Sequence, residues 1–253
     1  MILNETGKYQ VFFEETQGTA LFKQYIWASG NSGFALTGVG RNPQEYPTVS
    51  IENGIDGSRA IKLETKSTGQ FGETVKMPIA AGNLFLGSFD VNNAVQKPLK
   101  ATRFGLPFGK KPLQLKGYYK YTPGTQPFKA KDKNGNTVTI PGQEDEGDIY
   151  AVLYEAAELD GKALDGNNVL TSENIVALAR VEVEKKDEFT AFHVDFHYGS
   201  RIPIDWPKFI QDQRDPSDDG TAPYLSFSEE KMKNYEYNLA VVFTSSKYGA
   251  YFA

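Results

Sequence analysis

The sequence predicts an all-β protein, a jelly-roll sandwich of two antiparallel sheets. Three observations predict it. Short apolar or alternating runs recur along the chain, separated by Gly, Asn, Asp and Pro, as antiparallel strands joined by turns require. The composition suits strands: 17 Phe, 14 Tyr, 24 Gly and 13 Pro in 253 residues combine pleat-filling aromatics with turn formers. Apolar spacing at the helical period is scarce. Roughly ten or more short strands in this length fit two packed sheets. No linker rich in Pro, Gly or Ser divides the chain and no internal repeat is detectable, so residues 1–253 read as one sandwich domain.

Taken in order, residues 8–15 and 20–27 are the first strand candidates. Arg59-Ala60-Ile61-Lys62-Leu63 follows a turn at Gly57 and has one apolar face. Leu84–Phe89 is another short strand. In Gly117-Tyr118-Tyr119-Lys120-Tyr121, Tyr119 points one way and Tyr118 and Lys120 the other, because side chains alternate along a strand. Thr122-Pro123-Gly124 ends that strand as a turn. Residues 125–147 are polar and Gly-rich, and Asn134-Gly135 is a strong hairpin turn. Asp148–Leu153 is nearly continuous apolar sequence, which predicts a strand buried on both faces. Asp165-Gly166-Asn167-Asn168 turns the chain, and a strand with a short helical lead-in follows within Ser172–Val183. Thr190–Tyr198 alternates most cleanly, with Phe192, Val194, Phe196 and Tyr198 on one side and Ala191, His193, Asp195 and His197 on the other. Residues 210–223 read as a polar, acidic loop, and Tyr237–Thr244 as a late core strand.

Composition excludes several classes. With 27 basic against 32 acidic residues the net charge is −5, which gives no general attraction to nucleic acid or anionic lipid. No apolar run approaches the roughly 20 residues that span a bilayer. Absence of Cys excludes disulfides, thiolate metal sites and thiol catalysis. Met1-Ile2-Leu3-Asn4 lacks the basic flank and long apolar stretch of a secretory signal. The chain is therefore either cytoplasmic or a mature fragment whose leader has been removed. Nucleophile-elbow, zinc-protease, phosphate-loop and dinucleotide motifs are all missing.

Four sets of residues can carry chemistry. His193, Asp195 and His197 lie on one strand face at spacings of about 6.5–7 Å, and two imidazoles with a carboxylate can hold zinc or another transition metal. The same pattern also describes an ordinary solvent-facing strand. Glu144-Asp145-Glu146-Gly147-Asp148 and the loop with Asp212, Asp215, Asp218, Asp219 and Gly220 offer the oxygens that a structural calcium ion wants, or are solvated turns. A glycosidase needs two carboxylates across a cleft; Glu155 and Glu158 lie beside a strand, but nothing in the sequence selects a pair. Aromatic rings beside loops can stack on the flat apolar face of a pyranose. Trp27 precedes the Gly- and Ser-rich run Ala28–Gly33, read as a flexible loop, and Trp206 lies beside a turn. Tyr46, Tyr118, Tyr121 and Tyr224 extend the set.

Four longer stretches are distinctive. They are Ala80-Ala81-Gly82-Asn83-Leu84-Phe85-Leu86-Gly87, the run from Phe104-Gly105-Leu106-Pro107-Phe108 to Tyr121-Thr122-Pro123-Gly124, Asp148–Glu155, and Phe243–Phe252. Together they resemble the putative carbohydrate metabolism domain of Bacteroidetes surface and secreted proteins, a family sometimes labelled putative glycoside hydrolase. The resemblance runs from about Trp27 to the end. It implies a jelly roll similar to carbohydrate-binding modules, an oligosaccharide or polysaccharide partner, and an extracellular or outer-membrane location, with a lipid anchor outside the given sequence. It carries over no catalytic residues. Members continue past the position of Phe252 with a further strand, so either that strand lies outside this sequence or the sheet closes differently. In the motifs, Asn83 with Gly82 is expected to shape a turn. Tyr118 is expected to stack on sugar and Lys120 to donate to hydroxyls if their sheet is the binding one. The leading expectation is a non-catalytic glycan-recognition module. A glycoside hydrolase acting on a host or dietary glycan, and an adhesion module that binds protein, are the alternatives.

Overall fold

The structure, a computed structural model, describes residues 2–3, 9–11, 24–75, 77–124, 128–131, 137–142, 146–156, 163–202, 223–247 and 251–252. Its centre is the strand Asp148–Glu155 (β14), in which every residue is buried. An uninterrupted apolar run behaves this way because neither of its faces can be left in water. It lies between β15 (Ile175–Val181) and β18 (Tyr237–Thr244), with Val152 opposite both Leu178 and Ala240. The sheet continues beyond β18 through β8 (Asn83–Phe89), β3 (Gln24–Ala28), β2 (Tyr9–Val11) and β1 (Ile2–Leu3), and beyond β15 to β17 (His197–Tyr198). β9 (Thr102–Phe104) pairs with β8 and β10 (Leu106–Pro107) with β18, making ten strands among the described residues, all paired antiparallel. Smaller sheets are β4 (Thr48–Ile51) with β5 (Ala60–Leu63), β6 (Lys66–Ser67) with β7 (Ile79–Ala80), and β13 (Thr137–Thr139), β12 (Phe128–Lys131) and β19 (Tyr251–Phe252).

The second layer of the sandwich is a ribbon of β11 (Gln114–Tyr121) and β16 (Lys186–Asp195). Leu115, Tyr119, Phe192 and Val194 of the ribbon pack on Ile149, Val181 and Phe243 of the large sheet. The other face of β14 presents Tyr150, Val152 and Tyr154 to a core with Phe85, Phe104, Leu164 and Tyr224. Tyr154 keeps its hydroxyl satisfied there: it donates to the Phe104 carbonyl at 2.6 Å and accepts from Asn238 Nδ2 at 3.1 Å. The all-β antiparallel sandwich is thus as the sequence predicts.

Three local readings need correction. The Thr190–Tyr198 alternation holds residue by residue, but the run is two strands. The chain leaves the ribbon at Phe196 and enters the large sheet as β17, with Phe196 N–H donating to the Leu113 carbonyl at 2.8 Å. The run after Trp27 is no flexible loop. It begins the helix Asn31–Ala35, and Asn31 is 1% exposed. Asn31 Nδ2 donates to the Thr48 carbonyl (2.7 Å) and its Oδ1 accepts from Thr48 N–H (3.1 Å). Asn83 makes no turn. It opens β8, and its Oδ1 accepts from Gly30 N–H at 2.7 Å, fixing the same segment from the other side. The motif glycines Gly87 (φ 137°) and Gly105 (φ 100°) do have a conformational reason. Gly105 N–H bonds the Leu86 carbonyl, and a Cβ on Gly87 would overlap the Arg103 carbonyl. β12 and β13 pair with Lys131 opposite Thr137; the Asn134-Gly135 turn and the 210–223 loop contain residues outside those described.

Candidate functional site

The ribbon's outer face collects four of the candidates, Tyr118, Lys120, His193 and Asp195. Alternation sends Gln114, Lys116, Tyr118 and Lys120 of β11 outward, and Ala191, His193 and Asp195 of β16. Register sets Gln114 opposite Asp195, Lys116 opposite His193 and Tyr118 opposite Ala191. Gln114 Nε2 donates to Asp195 Oδ1 at 2.5 Å. Ala191 offers no bulk across from Tyr118, and Tyr118 is 60% exposed. The result is a flat aromatic surface between two lysines, with an amide and a carboxylate along the strand. Such a surface can stack on a pyranose while its polar rim exchanges hydrogen bonds with hydroxyls.

Structure separates the remaining candidates from this face. Tyr121 has the opposite parity, is half-buried and lies against Gly147. Trp27 is half-buried in β3, its ring 6.3 Å from that of Phe243. Tyr46 packs edge-on against Phe34, and Tyr224 is buried under the Arg201 guanidinium. His193 and Asp195 share the Tyr118 face, but His197 lies on β17, where its Nε2 is 3.0 Å from Ser200 Oγ. Among the described residues no three His, Asp or Glu side chains form a group that could hold a metal ion. Trp206, Asp212, Asp215, Asp218, Asp219, Glu144, Asp145 and Glu158 lie outside the described residues.

Two buried carboxylates remain among the described residues, and both belong to β14. Asp148 accepts from Arg180 Nε at 3.0 Å and Nη2 at 2.7 Å. Burial pushes the Asp148 carboxyl up against the pull of that guanidinium. Glu155 receives Lys231 Nζ at 2.7 Å on both oxygens. The two lie seven positions apart, about 23 Å along a strand, and their parity puts them on opposite faces. A glycosidase pair lies about 5–9.5 Å apart across one cleft. Asp148 and Glu155 are not such a pair; each is held by its own cation.

Sequence reasoning missed Tyr235, at 65% exposure the most open aromatic ring among the described residues. It follows the helix Glu229–Lys233, which was also unassigned. The signal existed: Ser228 caps the helix by accepting from Lys231 N–H, acidic residues fill the first turn and basic ones the last.

Fold and site together define a class: a β-sandwich domain with an exposed aromatic and polar strand face. The chain belongs to the family described as putative carbohydrate metabolism domain, whose profile matches residues 3–253. It is similar to the crystal structure of a putative glycoside hydrolase from Bacteroides thetaiotaomicron VPI-5482, with 39% identity and a TM-score of 0.71, covering 95% of this chain and 64% of that one. The chain thus spans just under two thirds of that relative's length. A second similar structure, a putative glycoside hydrolase from Bacteroides vulgatus ATCC 8482, gives 36% identity and a TM-score of 0.70, covering 95% of this chain and 83% of that one. No curated protein matches the chain.

Proposed function

We propose that the chain is a non-catalytic carbohydrate-binding module that recognises an oligosaccharide or polysaccharide on the outer face of the β11–β16 ribbon, on an exported, surface-attached protein. One observation carries the reading: an exposed Tyr118 ring opposite Ala191, flanked on its strand by Lys116 and Lys120. Binding is weak, since one stacked ring and solvent-competing hydrogen bonds leave little surplus after ordering costs. Loss of the ring in Tyr118→Ala removes about 1 kcal/mol, or about fivefold in affinity. Trp27→Ala acts instead on stability, because that ring packs on Phe243. The test is a glycan array with the purified chain, with and without calcium, and a reducing-sugar assay on the hits. Binding that falls in Tyr118→Ala with no sugar released supports the module. A calcium requirement would point to the acidic loop around Asp215, Asp218 and Asp219.

Glycoside hydrolysis is the second reading, favoured by the names of the two similar structures. Sugar release would establish it, with catalytic carboxylates other than the Asp148 and Glu155 pair. Absence of binding to any glycan would move the ribbon face to a protein-binding role.

A further inference from the structure

The helix Glu229–Lys233 ends in a tight double closure. Tyr235 N–H donates to the Met232 carbonyl at 3.1 Å and Glu236 N–H to the Lys231 carbonyl at 3.0 Å. This is the Schellman arrangement, whose turning residue takes left-handed dihedrals and is usually glycine, sometimes asparagine. Here it is Tyr235, with φ 56°. A bulky side chain is out of place there on backbone grounds alone, and burial does not explain it, because the residue is 65% exposed.

What the ring touches is Gly109. A Cβ at that position would lie 2.6 Å from Tyr235 Cε1 and 2.7 Å from Cζ, so only glycine lets the ring settle. The segment carrying Gly109 is fastened on both sides. Pro107 pairs with Asn238, and Phe108 N–H donates to the Tyr237 carbonyl at 2.9 Å. Lys111 Nζ sits 4.9 Å from the centroids of both the Tyr198 and Phe227 rings, and the Tyr198 hydroxyl donates to the Pro112 carbonyl at 2.7 Å. The turn thus fixes the backbone that carries the ring, Gly109 backs the ring from a fastened segment, and the residue is otherwise largely open to solvent. Its neighbours in the chain are Asn234 and Glu236, whose Nδ2 and Oε1 are 3.0 Å apart, and the neighbour of Gly109 is the exposed Lys110. An aromatic surface backed by a glycine, with polar side chains beside it in the chain, suits a pyranose, which stacks on the open face of the ring.

We propose that Tyr235 is a second carbohydrate-binding platform, on which one pyranose ring of a glycan chain stacks against the tyrosine held by Gly109. This rests on the carbohydrate-binding reading above. The experiment measures affinity for immobilised cello-, manno-, xylo-, galacto- and chito-oligosaccharides, together with the Tm, for the full chain, Tyr118→Ala, Tyr235→Gly, Tyr235→Asn and Tyr235→Phe. Glycine and asparagine both suit the left-handed turn. The expected result is that Tyr235→Gly and Tyr235→Asn keep or raise the Tm yet lose about fivefold or more in affinity, while Tyr235→Phe binds within about twofold of the parent. Two results overturn the platform and leave the reading intact: unchanged affinity in Tyr235→Gly while Tyr118→Ala weakens, or losses in both turn variants that track a fallen Tm. Failure of the parent chain to bind any of these sugars overturns both.

Discussion

At the residue scale, the most exacting interaction is the one between Asp148 and Arg180. The carboxylate side chain is 3% exposed and the guanidinium closes on it with two bonds. Removing one partner of a buried pair leaves an uncompensated charge, so Arg180→Ala should cost about 3–5 kcal/mol by urea unfolding at neutral pH, and a double replacement of both by apolar residues of similar volume much less. The deficit also has a pH signature. Burial already raises the folded pKa of Asp148 above the ordinary 3.8, and loss of Arg180 raises it further. A raised carboxyl is protonated in the folded chain where the unfolded chain has released its proton. Its stabilising share is therefore full below about pH 3.8 and lost as pH rises through the folded pKa. The Arg180→Ala deficit should shrink as pH falls from 7 towards 4, and a deficit constant over that range would refute the account. Glu155 differs: its partner Lys231 is 38% exposed, so water screens the pair and Lys231→Ala is milder.

At the element scale, the clamp made by Asn31, Thr48 and Asn83 shows what a single polar side chain can hold. Asn31→Ala leaves the Thr48 N–H and carbonyl without their partner in a buried place. The expected loss is about 1–3 kcal/mol or more in urea, with amide exchange accelerating first over the helix Asn31–Ala35. Nothing in the run Ala28–Gly33 announces that clamp, because its partners lie on strands far along the chain. The same limit explains what was legible elsewhere. Parity was legible: Phe192, Val194 and Phe196 turn inward and His193, Asp195 and His197 outward, because alternation is a property of one strand. Pairing was not, so neither the cross-strand meeting of Gln114 with Asp195 nor the transfer between sheets at Phe196 could be read. Of the candidate site, Tyr118 and Lys120 were found by parity. Tyr235 was lost because its surroundings come from Gly109, a residue distant in sequence that only folding brings under the ring.

On the scale of the whole molecule, the many tyrosines of the sandwich set its alkaline limit. Tyr150, Tyr154, Tyr224 and Tyr237 have their phenols raised by burial, and Tyr198 is pushed up to about 12, chiefly by burial. Unfolded tyrosines ionise near 10. Between pH 10 and 12 the folded chain therefore holds protons that the unfolded chain has lost, and stability falls as pH rises through that window. Tyrosinate absorbance from these five phenols and loss of structure should appear together above pH 10. Ionisation of these tyrosines well before unfolding would contradict this. The pairing of β14 with β18 has a different kind of consequence, one that concerns time. Val152 meets Ala240, and Tyr118 meets Ala191, across long stretches of intervening chain. Such closures are slow, because the entropy of bringing distant segments together is lost before contact repays it. A chain emerging from the ribosome carries the apolar run Ile149–Tyr154 of β14 with one edge open until Tyr237–Thr244 has been synthesised. During that interval the edge is a template for any neighbouring nascent chain, and the yield of folded protein depends on how well the two are kept apart.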